Sequence, residues 1–251
     1  MRLEGAIAPA WNVDARVHAL MSARVGGVSA GAWASLNLGV AVGDDPAAVT
    51  ENRRRFAEAL GVPTVYLRQV HRIAVLRLRA GDGDGIGAEP ADAAITTDSG
   101  IACTVQVADC LPVLFAAPEG RGVGAAHAGW RGLVAGVLDA TVASLSAAAG
   151  CAPADLRAWL GPCIGPRQFE VGADVVDAFD GGARFVPRAR ADGQPRWLAD
   201  LPGLARDRLQ ALGVVQVSGG TWCTVEDRSR FFSYRRDGVT GRMAAAVWLR
   251  G

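Results

Sequence analysis

Residues 101–133 read IACTVQVADCLPVLFAAPEGRGVGAAHAGWRGL. Three apolar runs stand in this stretch, IACTVQV (101–107), LPVLFAA (111–117) and GVGAAH (122–127), and each reads as a short buried strand. A helix then follows over 131–149, because Leu133, Val134, Val137, Leu138, Val142 and Leu145 recur at helical spacing and Gly150 can end it. The two junctions carry chemistry. Cys110 falls between the first two strands, and His127 falls between the third strand and the helix.

Outward from this stretch the pattern stays mixed. Asp45 can cap a helix whose first position suits Pro46, and the segment AAVTENRRRFAEAL (47–60) puts Val49, Phe56 and Leu60 on or near one face. Further helices are expected from about Gly172 and over 201–212, and the C-terminal MAAAVWLRG (243–251) reads as a last buried strand. The segment AGDGDGIGAEPA (80–91) is an exposed loop by its Gly and Asp content, and a second polar loop spans 188–196. Neither marks a domain boundary. Strands and helices mix without regular βαβ alternation, so the reading is an α+β fold in a single domain over residues 1–251.

Composition narrows the function. The chain has 251 residues, half of them hydrophobic, which is ample for a buried core. The formal net charge is +1, so no general electrostatic pull toward nucleic acid or membrane is expected. No apolar run is long enough to span a bilayer, and the first residues lack the apolar stretch of a secretory signal. All 26 basic residues are arginine, which excludes lysine Schiff-base chemistry and lysine phosphate loops. Five cysteines (Cys103, Cys110, Cys151, Cys163 and Cys223) form no CxxC pair, and free thiols in a reducing cytoplasm are the expected state.

Only three histidines are present, His18, His71 and His127. QVH (69–71), ADCLPV (108–113) and AAHAGWRG (125–132) each set a metal-competent residue at a strand end. Two histidines and one cysteine match a catalytic zinc site, which takes three protein ligands of nitrogen or sulfur and leaves the fourth position open. Asp109 or Gln69 could orient a ligand from behind. Spacing alone leaves other readings standing. Cys110 and His127 could form a hydrolase dyad, or Cys110 could be a small buried hydrophobe.

An ordered set of segments resembles one family along nearly the whole chain. They are GGVS…SLNLG (26–39), DDP…NRRR (44–55), QVH, DA…T (92–96), ADCLPVLF (108–115), AAHAGWRGL (125–133), WLGPCIGPRQFEVG (159–172) and CTVEDRSRFFSYRRDGVTGRMAAAVWL (223–249). Together they resemble the laccase-domain family, also called polyphenol oxidase-like, purine nucleoside phosphorylase and peptidoglycan editing factor. The resemblance implies zinc held by His71, Cys110 and His127, and an α/β/β/α sandwich with mixed β-sheets. It also implies phosphorolysis of adenosine, inosine and guanosine, cleavage of methylthioadenosine, and deamination of adenosine. The family further resembles a toxin deamidase domain that uses a Cys-His pair, and its editing-factor members are tied to amide cleavage in peptidoglycan precursors. Cys163 stands where relatives often carry alanine and reads as structural.

A laccase needs a blue copper site and a three-copper cluster, both rich in histidine. Three histidines with no His-x-His pair cannot build them, so copper is expected only as a substitute for zinc. The H-x-E and P-C-x-x-C segments of nucleobase deaminases are absent as well. The implied partners are a purine nucleoside and phosphate. Phosphate needs cations, and the candidates are Arg53 in NRRR, Arg131 at a helix start, and Arg235 and Arg236 in SYRRD, with Asn37 of SLNLG for a ribose or base. Trp130 reads as a packing residue.

Overall fold

In the computed structural model, residues 3–83 and 88–251 are described, so part of the loop expected over 80–91 lies outside the described residues. The three apolar runs at 101–107, 111–117 and 122–127 become β5 (Ala102–Val107), β6 (Leu111–Ala116) and β7 (Val123–Ala128). They do not share one sheet. β5 belongs to a four-stranded sheet, ordered β1 (Val17–Met21), β13 (Met243–Leu249), β5, β2 (Thr64–Tyr66). β6 and β7 pair antiparallel in a six-stranded sheet, ordered β12 (Gln216–Gly219), β8 (Arg157–Leu160), β6, β7, β4 (Ala93–Thr96), β3 (Val75–Leu78). Parallel pairs occur at β2 with β5, β3 with β4 and β8 with β12, so both sheets are mixed.

The strands read as continuous apolar runs because both faces of each sheet are covered. Alternate residues serve different layers. Along β6, Leu111, Val113 and Phe115 join a core with the helices, while Leu114 and Ala116 face the gap between the sheets. Along β13, Met243, Ala245, Val247 and Leu249 fill that gap, whereas Ala244, Ala246 and Trp248 pack on Phe56 and Leu60. Those two residues belong to α1 (Pro46–Leu60), whose Asp45 side chain accepts from the Ala47 N–H at 3.0 Å and whose end is set by Gly61 at φ 73°. On the opposite side lie α3 (Val137–Ala149) and α5 (Leu201–Ala211). The order is therefore helix, sheet, sheet, helix, which is the α/β/β/α sandwich that the resemblance implies.

One expectation is corrected. The helix read as continuous over 131–149 is two helices, α2 (Trp130–Ala135) and α3, broken at Gly136. Gly136 takes φ 99° and donates its N–H to the Gly132 and Leu133 carbonyls, a left-handed stop that a residue without Cβ adopts at little cost. The helix expected near Gly172 is α4 (Ala173–Ala178). The polar stretch 188–196 is the turn of a hairpin between β10 (Phe185–Arg188) and β11 (Arg196–Ala199), and β9 (Glu170–Val171) completes that small sheet. A short α6 (Tyr234–Asp237) precedes β13. Among the described residues, no helix is long and apolar enough to cross a membrane.

Candidate metal centre and cleft

The β6–β7 register sets Leu111 opposite Ala128 and Pro112 opposite His127. Cys110, one residue before β6, therefore emerges beside His127 at the same end of the six-stranded sheet. His71 comes from the loop between β2 and β3, with its backbone at φ 59°. A left-handed conformation is uncommon for a residue with Cβ and persists only where the surroundings hold it. The holding group is Asp92. Its fully buried carboxylate accepts the Val70 and Arg72 N–H groups on Oδ2 at 3.1 and 2.8 Å, and the His71 N–H on Oδ1 at 2.9 Å.

Asp92 Oδ1 also lies 2.8 Å from His127 Nδ1. A carboxylate in that place accepts, so a proton sits on Nδ1 and Nε2 is the nitrogen left to face a metal. Burial would raise the Asp92 carboxyl, but the hydrogen bonds from His127, Arg72 and Val70 outweigh it and hold the group below the ordinary carboxylate value. Thus one buried side chain fixes the backbone of one candidate ligand and the tautomer of another.

The donor atoms of His71, Cys110 and His127 all lie within 4.8 Å of one another. Cys110 Sγ is 3.7 Å from His71 Nε2, and the two imidazoles meet edge to face with centroids 4.7 Å apart. Burial would push the Cys110 thiol up, yet the imidazoles of His127 and His71 reverse this and bring it down to about 6. For His127 burial acts downward, and the Cys110 thiolate and Asp92 overcome it, so the imidazole sits above its ordinary value. A soft thiolate and two imidazoles suit a borderline metal such as zinc. The close quarters also explain Gly129, where a Cβ would lie 2.9 Å from both Cys110 Sγ and His71 Cδ2.

Asp109 and Gln69 take other tasks than backing a ligand. Asp109, at φ 97°, accepts from Thr224 Oγ1 at 2.5 Å and from the Arg235 N–H at 2.6 Å, tying the Cys110 corner to the loop before α6 and to α6 itself. The Gln69 amide exchanges two hydrogen bonds with the backbone of Gln106, at 2.7 and 2.8 Å.

The three donors open into a cleft of about 860 Å³. Arg53, Arg131 and Arg235 line it. Arg131 is exposed and stacks its guanidinium 4.3 Å from the Trp130 ring centre, and Arg53 lies 3.7 Å from that of Tyr66. Arg236 turns inward instead, bonding the Thr224, Val225 and Phe231 carbonyls. Asn37 is fully buried and does not line the cleft; its amide is committed to Gly39, Asp44 and the Arg242 N–H. Cys163 is buried in the core beneath the six-stranded sheet. Sequence reasoning passed over Asp92, Gly129, Phe169 and Arg242 as parts of this region. Asp92 carried one usable signal, an acid at the head of an apolar strand, since buried acids are paired.

The chain is 49% identical over 249 residues to a protein of Pseudomonas aeruginosa named purine nucleoside phosphorylase, covering 97% of this chain and 98% of that one. It is 46% identical to the Escherichia coli protein named purine nucleoside phosphorylase YfiH, with 97% and 98% covered. The crystal structure of a Neisseria meningitidis protein superposes with a TM-score of 0.90 at 45% identity, covering 99% of this chain and all of the other. A family model described as multi-copper polyphenol oxidoreductase laccase matches residues 18–250. With its ordered segments, its sandwich of two mixed sheets and this match over nearly its whole length, the chain belongs to that laccase-like family.

Proposed function

We propose that the protein is a zinc-dependent purine nucleoside phosphorylase acting on adenosine, inosine and guanosine, and on methylthioadenosine, with adenosine deaminase activity besides. The observation that carries this reading is the convergence of His71, Cys110 and His127 on a roomy cleft whose wall holds arginines. The relatives named purine nucleoside phosphorylase support it. Zinc, when bound, would act as a Lewis acid on an oxygen at the reacting centre, and the same donors would accept copper as a substitute. The chain's own groups do the rest. His71, Cys110 and His127 hold the metal, and Asp92 keeps the His127 proton on Nδ1. Arg53 and Arg131 favour entry of phosphate and of the negative charge that develops on a departing purine. Tyr234, exposed on the cleft wall, offers a flat face to the base. In phosphorolysis a phosphate oxygen bonds to the ribose carbon, the carbon–nitrogen bond to the purine breaks, and the purine nitrogen takes up a proton. We assign the enzyme to the cytoplasm, where its five free cysteines would remain reduced.

Purified protein given inosine and phosphate should release hypoxanthine and ribose 1-phosphate. Release that is independent of phosphate would indicate hydrolysis instead. Cys110→Ala should lose both metal and turnover, and retention of full zinc content would refute the ligand assignment.

A second reading has its own observation. Cys110, His127 and Asp92 line up as nucleophile, base and orienting carboxylate, the arrangement of a cysteine amidase. On this reading the substrate is an amide of a peptidoglycan precursor, and activity on it survives removal of metal. Turnover of a serine-containing muropeptide precursor, with none of any nucleoside, would favour it over the first.

A further inference from the structure

Among the described residues, five arginines line the cleft, Arg53, Arg68, Arg131, Arg235 and Arg242, against a single carboxylate, Asp109, whose oxygens are already engaged by Thr224 and the Arg235 N–H. Arg68, Arg131 and Arg235 are exposed, and solvent screens their charge. Arg242 differs from these three. It is half-buried, and its Nη1 donates only to the backbone carbonyls of Thr240 and Gly241, at 3.0 and 3.1 Å. Among the described residues no carboxylate forms an ion pair with it. Burial lowers its proton affinity, and the acidic groups of Cys110, Asp109 and Tyr234 offset only part of that effect. A guanidinium remains charged at any physiological pH, so the fold keeps a partly desolvated cation beside the metal donors with, among the described residues, no carboxylate in direct contact.

The fold also builds a seat for this side chain. The Arg242 N–H donates to Asn37 Oδ1 at 2.8 Å, and the Gly39 N–H reaches the same oxygen at 2.9 Å. Asn37 Nδ2 is held by the Gly39 carbonyl and Asp44. A Cβ at Gly39 would lie 2.7 Å from Arg242 Cγ, so the missing side chain there makes room for the arginine stem. A fully buried asparagine thus holds the Arg242 backbone at the cleft wall, and a bare glycine leaves room for its stem.

We propose that Arg242 is the anion-binding residue of the cleft and that it takes inorganic phosphate beside His71, Cys110 and His127. The identity of the anion rests on the phosphorylase reading; the presence of an anion site does not. The planar guanidinium fork matches two phosphate oxygens, a match that glutamine lacks and that lysine makes only as a point charge.

The test is Arg242→Gln in the metal-loaded protein, with Arg242→Lys and Arg131→Gln beside it. The KM for phosphate should rise about 10- to 100-fold in Arg242→Gln, with zinc content unchanged and the KM for inosine within about twofold. Lysine should restore part of the loss. Arg131→Gln should raise the phosphate KM less, because its charge is exposed. Inorganic phosphate alone, titrated calorimetrically, gives a readout that needs no turnover: it should bind the wild type and bind Arg242→Gln at least tenfold more weakly. If phosphate binding is lost in Arg242→Gln while no nucleoside is turned over by the wild type, the anion site stands and the phosphorylase reading falls. If the wild type performs phosphorolysis and Arg242→Gln keeps its phosphate KM, the inference is overturned and the function survives. Absence of phosphate binding to the wild type overturns it too. Should Arg242→Gln not fold, Arg242→Met carries the test, and an unchanged phosphate affinity there overturns the inference.

Discussion

Replacing Asp92 by asparagine should damage fold and metal site together, and the size of the effect can be worked from four hydrogen bonds. Each carboxylate oxygen accepts two of them: Val70 and Arg72 N–H on Oδ2, His71 N–H and His127 Nδ1–H on Oδ1. Asparagine keeps one accepting oxygen. Whichever way the amide turns, two donors face an NH₂ group that cannot accept. A buried donor left unsatisfied costs about 1–3 kcal/mol, so the ceiling is about 2–6 kcal/mol. Arg72 is exposed and Val70 half-buried, so water can serve that side. The amide should therefore keep its oxygen toward His71 and His127, and the cost should fall near about 2–3 kcal/mol. For a chain of this length that is a fall of about 4–12 °C in Tm. Loss of the charge behind His127 should weaken metal binding by about 10- to 100-fold. The assay is a pair of melting curves, metal-free and zinc-loaded, with zinc affinity measured by competition against a chromophoric chelator. The gap between the loaded and metal-free curves should shrink in the variant, because stabilisation by a ligand falls with the logarithm of its affinity. Asp92→Glu keeps the charge but lengthens the arm, and should recover less than half of the zinc affinity. A variant that melts with the wild type and holds zinc equally tightly would refute the role assigned to this carboxylate.

Gly129→Ala separates the site from the backbone. Gly129 sits at φ −66° and ψ 159°, which alanine adopts freely, so any loss must come from the Cβ 2.9 Å from Cys110 Sγ and His71 Cδ2. A stability cost of about 1–3 kcal/mol with weakened zinc binding is expected, and normal zinc uptake would count against the crowding argument. The metal-free protein should show a pH-dependent thiol. Only the thiolate is alkylated by iodoacetamide, and the Cys110 value near 6 means that the rate at this residue should hold at neutral pH and fall as pH drops through about 6. Because the folded value lies below the ordinary 9, the thiolate favours the folded state as pH rises from about 6 toward 9, while the raised His127 imidazole acts the other way over the same range, so the net change in stability should be small. A midpoint near 9, read by mass spectrometry of the labelled peptide, would show that the imidazoles do not act on the thiol. Arg131→Ala should weaken phosphate use while zinc is retained; an unchanged phosphate dependence in steady-state kinetics removes Arg131 from that role.

Much of the local structure was legible along the chain because local terms decide it. Asp45, Pro46 and Gly61 bracket α1, and its buried face carries Val49, Phe56 and Leu60 as the spacing implies. The strands β5, β6, β7 and β13 announce themselves as apolar runs, since sheets covered on both faces select such runs. The three candidate metal donors were also within reach, because histidine is scarce enough that few combinations exist and the ordered family segments single out one of them. Gly136 shows where spacing misleads. The apolar period continues across it, and only its left-handed backbone divides the helix.

What the tertiary structure alone decided is pairing across long separations. β5 and β6 are neighbours in sequence yet join different sheets, and β1 meets β13 from the far end of the chain, where the Ala244 N–H reaches Ser22 Oγ across 222 positions. Such contacts depend on which faces are buried together, a property of the assembled layers that no local window contains. The same holds at the site. Asp92 matters because its carboxylate meets His127 and the His71 loop, Asn37 matters because it seats Arg242 and not because it faces the cleft, and both facts exist only once the sheets have closed on each other. The amino-acid sequence by itself determined which residues could bind a metal and which segments are strand or helix. The packed sandwich decided which polar groups would lose water together, and a buried polar group must find its partner wherever the fold has brought one.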